Sequence, residues 1–264
     1  MIRTERKGGV TTLWLARPER RNALTAEMIA ALRDEVTAAG ADDGCRCLVL
    51  RGEGEHFCAG RDLQQTAGQT DLDAIVEDSA AYSAIYERLH RLAKPSVAVV
   101  RGFAVAGGFT LAMGCDFVLA DESARFGALE MRGGFPAAVN TAILTALCGP
   151  RQALELLLSQ EVLPAQTLHA MRLLNRLLPD ATALDAAAAD FVAGLVALDP
   201  LAVRLTKEMH RASRAMPLDN ALAMATQLNA LLVAGGRFRQ GAERLAGSKT
   251  GSGTAGGGPT KGPA

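Results

Sequence analysis

Three segments of this 264-residue sequence hold the residue types that could do chemistry. The first is His56-Phe57-Cys58-Ala59-Gly60-Arg61-Asp62-Leu63. Its small pair, Ala59-Gly60, would let a ligand approach the backbone closely. The second is Arg101-Gly102-Phe103-Ala104-Val105-Ala106-Gly107-Gly108-Phe109-Thr110-Leu111-Ala112. It leaves a strand-like run and opens a helix-like one, where N–H groups left free beside glycines suit an anion. A Walker loop is excluded because no G-K-[ST] follows, and the dinucleotide fingerprint fails on its glycine spacing. The third segment sets Glu130 between Leu129 and Met131, in a small, apolar, Gly-rich run ending at Phe135-Pro136. Most glutamates are solvated surface charges. A partly desolvated one has a raised pKa, which suits a general base.

Elements must hold these segments in place. Apolar runs at 10–16, 45–51 and 96–101, rich in Val, Leu or Thr, predict strands. Residues 25–39 place Met28, Leu32 and Val36 on one helical face, with Thr25 as N-cap. Residues 72–92 repeat that signal until Lys94-Pro95 stops it. Strands alternating with helices predict an α/β fold with parallel pairing. Further helices are expected at 137–148, 150–159, 165–173, 182–198, 200–216 and 218–233, with Pro150 and Pro200 at helix starts. The expected organisation is a core over 1–198, a helical region over 199–246 and a flexible tail over 247–264, built of Gly, Ser, Thr, Pro, Lys and Ala.

Lys+Arg and Asp+Glu number 28 each, so no global basic excess points to nucleic acid. No basic amphipathic stretch points to a membrane surface, and no apolar run is long enough to cross a bilayer. The cysteines Cys45, Cys47, Cys58, Cys115 and Cys148 are odd in number and match no zinc spacing. Together with a charged N-terminus they predict reduced thiols in a cytoplasmic protein. His90 and His210 sit in helical patterns and read as surface or rim residues, and His56 and His169 have no partner at catalytic spacing. Glu77 and Asp78 read as a solvated helix face that could reach a binding pocket.

The order of the three segments resembles the enoyl-CoA hydratase/isomerase (crotonase) family. The resemblance begins at Leu15-Ala16-Arg17-Pro18 and Arg21-Asn22-Ala23-Leu24. It runs on through Gly114-Cys115-Asp116, Ala124-Arg125-Phe126-Gly127 and residues 165–175, covering about 10–245. It implies a spiral of ββα turns, with C-terminal helices that form trimers or dimers of trimers. It also implies a bent acyl-CoA thioester whose oxygen is held by two backbone N–H groups, mapped onto Arg61 and Gly107. The adenine end of coenzyme A would lie along Ala59, Gly60, Arg61, Asp62 and Leu63, with Arg21 near its pantetheine or phosphates. Ala106, Thr110 and Leu129 complete the implied substrate contacts, and the guanidinium of Arg61 could meet a phosphate. Coenzyme A arrives as part of the substrate, so no separate cofactor is implied.

Family hydratases use two glutamates. One maps onto Glu130, the other onto Thr110, which is not acidic. Family isomerases moving a double bond from β,γ to α,β use a single glutamate at the Glu130 position. The further acid of the family's dienoyl-CoA isomerases has no counterpart in Gly133-Gly134-Phe135-Pro136-Ala137-Ala138, and the stretch from Glu130 to Pro136 is one residue short. The leading expectation is therefore an enoyl-CoA isomerase. A hydratase or CoA lyase using one glutamate and an ordered water is the second, and a non-catalytic acyl-CoA binding protein the third.

Overall fold

The computed structural model describes residues 1–250, so most of the expected 247–264 tail lies outside the described residues. In chain order the strands are β1 (Ile2–Lys7), β2 (Val10–Leu15), β3 (Cys47–Gly52), β4 (Ser96–Val100), β5 (Phe103–Val105), β6 (Phe117–Asp121), β7 (Arg125–Gly127), β8 (Leu163–Pro164) and β9 (Arg176–Leu178). The large sheet has the order β1-β2-β3-β4-β6-β9 and the small one β5-β7-β8. Pairing is parallel except between β1 and β2 and between β7 and β8.

The helices of the first part are α1 (Ala26–Ala41), α2 (Leu63–Ala67), α3 (Leu72–Arg91), α4 (Gly107–Met113), α5 (Ala138–Leu147), α6 (Pro150–Leu158), α7 (Ala165–Ala170) and α8 (Ala181–Val196). They are followed by α9 (Pro200–Ser213), α10 (Leu218–Ala234) and α11 (Arg237–Thr250).

The sheet is buried on both faces, which is why its central strands read as unbroken apolar runs. On β3, Leu48 and Leu50 point into one core with Met28, Leu32 and Val36 of α1 and with Ile85 and Leu89 of α3. Cys47 and Val49 point to the other, against Leu184, Ala188 and Val192 of α8. Each fully buried Leu stabilises the fold by about 1.5–3 kcal/mol. Thr25 caps α1 by accepting from the N–H of Met28 at 3.2 Å, worth about 1 kcal/mol. Asp71 caps α3 in the same way, accepting from Asp73 and Ala74.

The chain alternates between the sheets in a repeated turn. After β3, Cys58 bridges Ala104 of the small stack; β4 passes into β5, and β6 into β7. A helix follows most of these strand pairs and leads to the next turn. This is the expected ββα spiral, and its short strands hold the segments singled out in the sequence.

Four expectations need correction. β1 was not anticipated, because its inward Ile2 and Thr4 alternate with charged Arg3, Glu5 and Arg6. The strands after β4 were not anticipated either: β6 has five residues, and β5, β7, β8 and β9 are two or three residues long, too short to show a period. Residues 247–250 belong to α11 rather than to an unstructured tail. The compact units are Met1–Lys207 and Glu208–Ala264, so the division falls inside α9 and not at 198/199. Lys207 belongs with the first unit because its ammonium group donates to the Asp116 carboxylate beside Ser96. In the second unit α10 and α11 pack on one another, and Leu218, Leu222, Leu231, Val233 and Phe238 are exposed. No single described helix is long and apolar enough to cross a membrane.

Candidate active site

The first segment is fixed by a buried asparagine. Asn22 Nδ2 donates to the carbonyls of Glu53 at 2.9 Å and His56 at 2.7 Å, and its Oδ1 accepts from Arg17 N–H at 2.9 Å. Ala59 N–H donates to the Arg21 carbonyl at 2.9 Å. Leu24 N–H donates to Gly60 O, and Asp62 N–H to Leu24 O, each at 2.8 Å. These two bonds form one side of a parallel bridge between Leu24 and Arg61. The N–H of Arg61 itself points to the other side, and no acceptor among the described residues takes it.

On that other side stands the start of α4. Gly60 has φ +92°, and a Cβ there would meet Ala106 Cβ and Gly107 N at 2.9 Å each. A Cβ on Gly107 would come within 2.6 Å of the Tyr82 hydroxyl and 3.5 Å of Arg61 N. Glycine at both positions thus brings two backbone donors, Arg61 N–H and Gly107 N–H, to one place. As the first residue of its helix, Gly107 has no intrahelical acceptor for that N–H. Ala106 ahead of it is forced to φ +49°, ψ −125°, a region that L-residues avoid. Its N–H is pinned to Gly127 O at 2.7 Å.

Gly127 ends β7, and Glu130 follows three residues later at the start of a short 3-10 turn. Its Oε1 accepts from Asn140 Nδ2 of α5 at 2.8 Å. The same Nδ2 donates to Ala106 O at 3.2 Å, so one amide joins the carboxylate to the turn that precedes Gly107. Glu130 Oε2 is buried and has no hydrogen-bond partner. Burial raises the Glu130 pKa from its ordinary 4.5, against the opposing pull of a backbone hydrogen bond and of Asn140.

Thr110, one turn into α4, is 1% exposed and donates its hydroxyl to Ala106 O at 3.3 Å. The phenols of Tyr82 and Tyr86 come from α3, one helical turn apart, with ring centroids 5.1 Å from each other. Burial pushes Tyr82 up to about 12, with the Tyr86 and Thr110 hydroxyls beside it.

The structure brings Arg61, Gly107, Gly60, Ala106, Thr110 and Glu130 around one spot. Other expected contacts lie further out. The Asp62 carboxylate is engaged by Arg17 at 2.6 Å and accepts from Gln64 N–H at 3.1 Å, so it serves the scaffold of the turn. Arg17 holds its pKa below the ordinary carboxylate value. The Arg61 guanidinium lies 5.5 Å over the Tyr82 ring. Arg21 lies 5.2 Å over Phe103, and Leu63 is exposed. Leu129 is partly buried ahead of Glu130. His56 is structural: its Nδ1 accepts from Phe103 N–H at 3.3 Å. Glu77, His90, His169 and His210 are exposed.

Asn140, Tyr82 and Tyr86 were not singled out in the sequence. A lone Asn in the apolar run Ala138–Leu147 was a usable signal, since a buried amide needs partners. So was the only pair of tyrosines, spaced i, i+4 on one helix face.

The site thus holds two backbone N–H groups at the Gly60–Gly107 corner and a partly desolvated carboxylate tied to that corner through Asn140 and Ala106. The family model described as enoyl-CoA hydratase/isomerase matches residues 5–247. The chain therefore belongs to the enoyl-CoA hydratase/isomerase family, whose members act on acyl-CoA thioesters, and it has the crotonase fold. It is 38% identical over 244 residues to a Thermus thermophilus protein whose name places it with the enoyl-CoA hydratases, covering 91% of this chain and 95% of that one. It is 37% identical over 185 residues to the 1,2-epoxyphenylacetyl-CoA isomerase of Escherichia coli, covering 68% and 70%. The crystal structure of an enoyl-CoA hydratase from Bacillus anthracis superposes with a TM-score of 0.86 at 26% identity, over 94% of this chain and 96% of the other.

Proposed function

We propose that this protein is an enoyl-CoA isomerase that moves a double bond from the β,γ to the α,β position, with Glu130 as the one proton carrier. The observation that carries the reading is the buried, unpartnered Oε2 of Glu130, whose carboxylate is joined through Asn140 to the Ala106 that precedes Gly107, with a non-acidic Thr110 at the other family glutamate position. The thioester oxygen sits on the two N–H groups. Glu130 takes the α-proton, and the C–H electrons form a new bond from the α-carbon to the carbonyl carbon. The carbonyl π electrons move onto oxygen, giving a dienolate. The dienolate then collapses: an oxygen lone pair re-forms the carbonyl, the electrons between the carbonyl carbon and the α-carbon become the α,β double bond, the β,γ electrons take the proton from Glu130 at the γ-carbon, and its O–H bond breaks to leave the carboxylate. Each backbone donor to such an oxyanion is worth on the order of 10²–10³ in rate. No cofactor is needed beyond the coenzyme A carried by the substrate.

A second reading, hydration of an α,β-enoyl-CoA, is favoured by the Thermus thermophilus relative's name. Its water would be oriented by Glu130 and by hydroxyls such as those of Thr110 and Tyr82. Turnover of paired β,γ- and α,β-enoyl-CoA substrates tests both. Isomerisation without hydration supports the first reading, hydration as the faster reaction replaces it with the second, and binding without either points to a non-catalytic carrier. We further propose a cytoplasmic homotrimer or dimer of trimers, assembled through the exposed apolar residues of α10 and α11.

A further inference from the structure

Glu130 has two carboxylate oxygens in different surroundings. Oε1 accepts from Asn140 Nδ2 at 2.8 Å, whereas Oε2 is buried with no hydrogen-bond partner. Asn140 is itself 1% exposed. Its Nδ2 faces two acceptors, Glu130 Oε1 and Ala106 O at 3.2 Å, so the amide can take only this orientation; the reverse would set its carbonyl oxygen against both. Ala106 O does not depend on this bond, since it also accepts from Thr110 N–H at 3.1 Å and from the Thr110 hydroxyl. Glu130 Oε1 has no other side-chain donor among the described residues. Asn140 is thus one short strut from a helix core to the carboxylate, braced on the residue that precedes Gly107.

We propose that Asn140 is the positioning residue of the reaction: it commits Oε1 of Glu130 to a fixed hydrogen bond, leaves Oε2 as the oxygen that takes and returns the proton, and sets that oxygen against the Gly107 corner through Ala106. The inference rests on the reading of Glu130 as the proton carrier and adds which oxygen acts and what holds it. A carboxylate with both oxygens free would rotate about its last bond, and a misplacement of about 1 Å costs up to about 10²-fold in rate. The Asn140 bond also opposes the rise that burial causes in the Glu130 pKa, because it stabilises the charged form. The ionisable groups bearing on Glu130 from α3 are the phenols of Tyr82 and Tyr86, both pushed upward by burial and neutral through the working range. No charged side chain contributes to the Glu130 shift.

The test compares the full-length wild type with Asn140→Leu, Asn140→Asp and Glu130→Gln. Two readouts are used. One is the pH profile of kcat and KM on paired enoyl-CoA substrates. The other is the infrared titration of the Glu130 carboxyl, with Glu130→Gln as blank, which needs no substrate. Asn140→Leu removes the donor, and Asn140→Asp replaces it by a like charge in the same volume. The expected result is an acid limb that moves to higher pH in the order wild type, Leu, Asp, in both readouts. We also expect kcat to fall about 10- to 100-fold with KM changed less than about threefold. A purely structural Asn140 would lower the melting temperature and leave both titrations in place, and that result overturns the inference. Asn140→Asp keeps the side-chain volume, so it decides the matter if the Leu variant does not fold. If Glu130→Gln keeps wild-type turnover, the proton-carrier reading itself falls. If Glu130→Gln is inactive while the Asn140 variants titrate and turn over like wild type, only the role of Asn140 falls.

Discussion

Around Gly60 and Gly107 the polar groups are backbone N–H groups, and neighbouring chain packs closely against the glycines that carry them. Cβ atoms on Gly60, Gly107 and Gly108 would meet other atoms at 2.9, 2.6 and 2.1 Å. Around Glu130 the polar group is a side chain on a short 3-10 turn, and the next residues, Met131 to Pro136, are exposed. The corner has little freedom to change shape, because each glycine is there to admit a neighbour. The Glu130 turn is held by Gly127 behind it, by Asn140 from α5 and by Arg132, which donates to the Gln160 carbonyl. Oxyanion stabilisation gains from groups that need no reorganisation. Proton transfer needs one group whose pKa is adjustable and whose partner can be a differently shaped carbon chain.

That contrast can be broken first at the base. Glu130→Gln should lower turnover by about 10²–10⁴-fold, with thioester affinity nearly unchanged. Burial raises the Glu130 pKa above 4.5, and the active form is the carboxylate. Turnover should therefore be lost as pH falls through a value above the ordinary glutamate range, and be full above it. An acid limb in kcat/KM at or below about 4.3 would remove the desolvated carboxylate from the argument. At the corner, Gly107→Pro deletes one donor and drives ring atoms toward the Tyr82 hydroxyl, which lies 2.6 Å from the Cβ position. Proline is tolerated at the first position of a helix, so the missing N–H does not itself break α4. A loss on the order of 10²–10³ in kcat is expected in a protein whose circular dichroism is unchanged. Normal turnover by a folded Pro variant would show that the thioester oxygen sits elsewhere.

Thr110→Glu asks whether the missing second acid sets the reaction. The Thr110 side chain is buried beside Tyr82, so the longer residue costs about 1–3 kcal/mol in stability. A gain in hydration of an α,β-enoyl-CoA of no more than about tenfold is expected, with two close carboxylates splitting their pKa values. Efficient hydration by the wild type would make the single-glutamate argument wrong.

The glycines of the rigid corner were legible as local signals in Ala59-Gly60-Arg61 and Ala106-Gly107-Gly108, whereas the pairing of Arg61 and Gly107 was implied only by the family resemblance. The strands β2, β3 and β4 and the long helices were legible because each is a run of five or more residues with its own pattern, whereas the equally long β6 was missed. Asn140 was not legible, because its two partners lie 10 and 34 residues away and meet it only in the folded chain. β7 and β8 were silent because two or three residues carry no period, although β7 leads directly to Glu130. Asp62 looked like part of the ligand-facing turn, but its carboxylate is taken by Arg17, 45 residues earlier.

The smallest expected effect is at Ala106, and it sharpens the contrast most finely. Ala106 has φ +49° and ψ −125°, where a Cβ is strained and glycine is not. Such a conformation costs on the order of 1–3 kcal/mol in a non-glycine residue. Ala106→Gly relieves that strain but frees the unfolded chain, an opposing term of about 0.4–1 kcal/mol. The net expectation is a gain in stability of about 1 kcal/mol, read as a rise in melting temperature. Turnover should stay within about twofold, because Gly127 O still pins the N–H at this position and the Gly107 donor keeps its direction. If the variant instead loses stability and activity together, the methyl group is a packing element of the corner. The rigidity would then come from side-chain contact at Ala106 rather than from the backbone bonds and close approaches around Gly60 and Gly107.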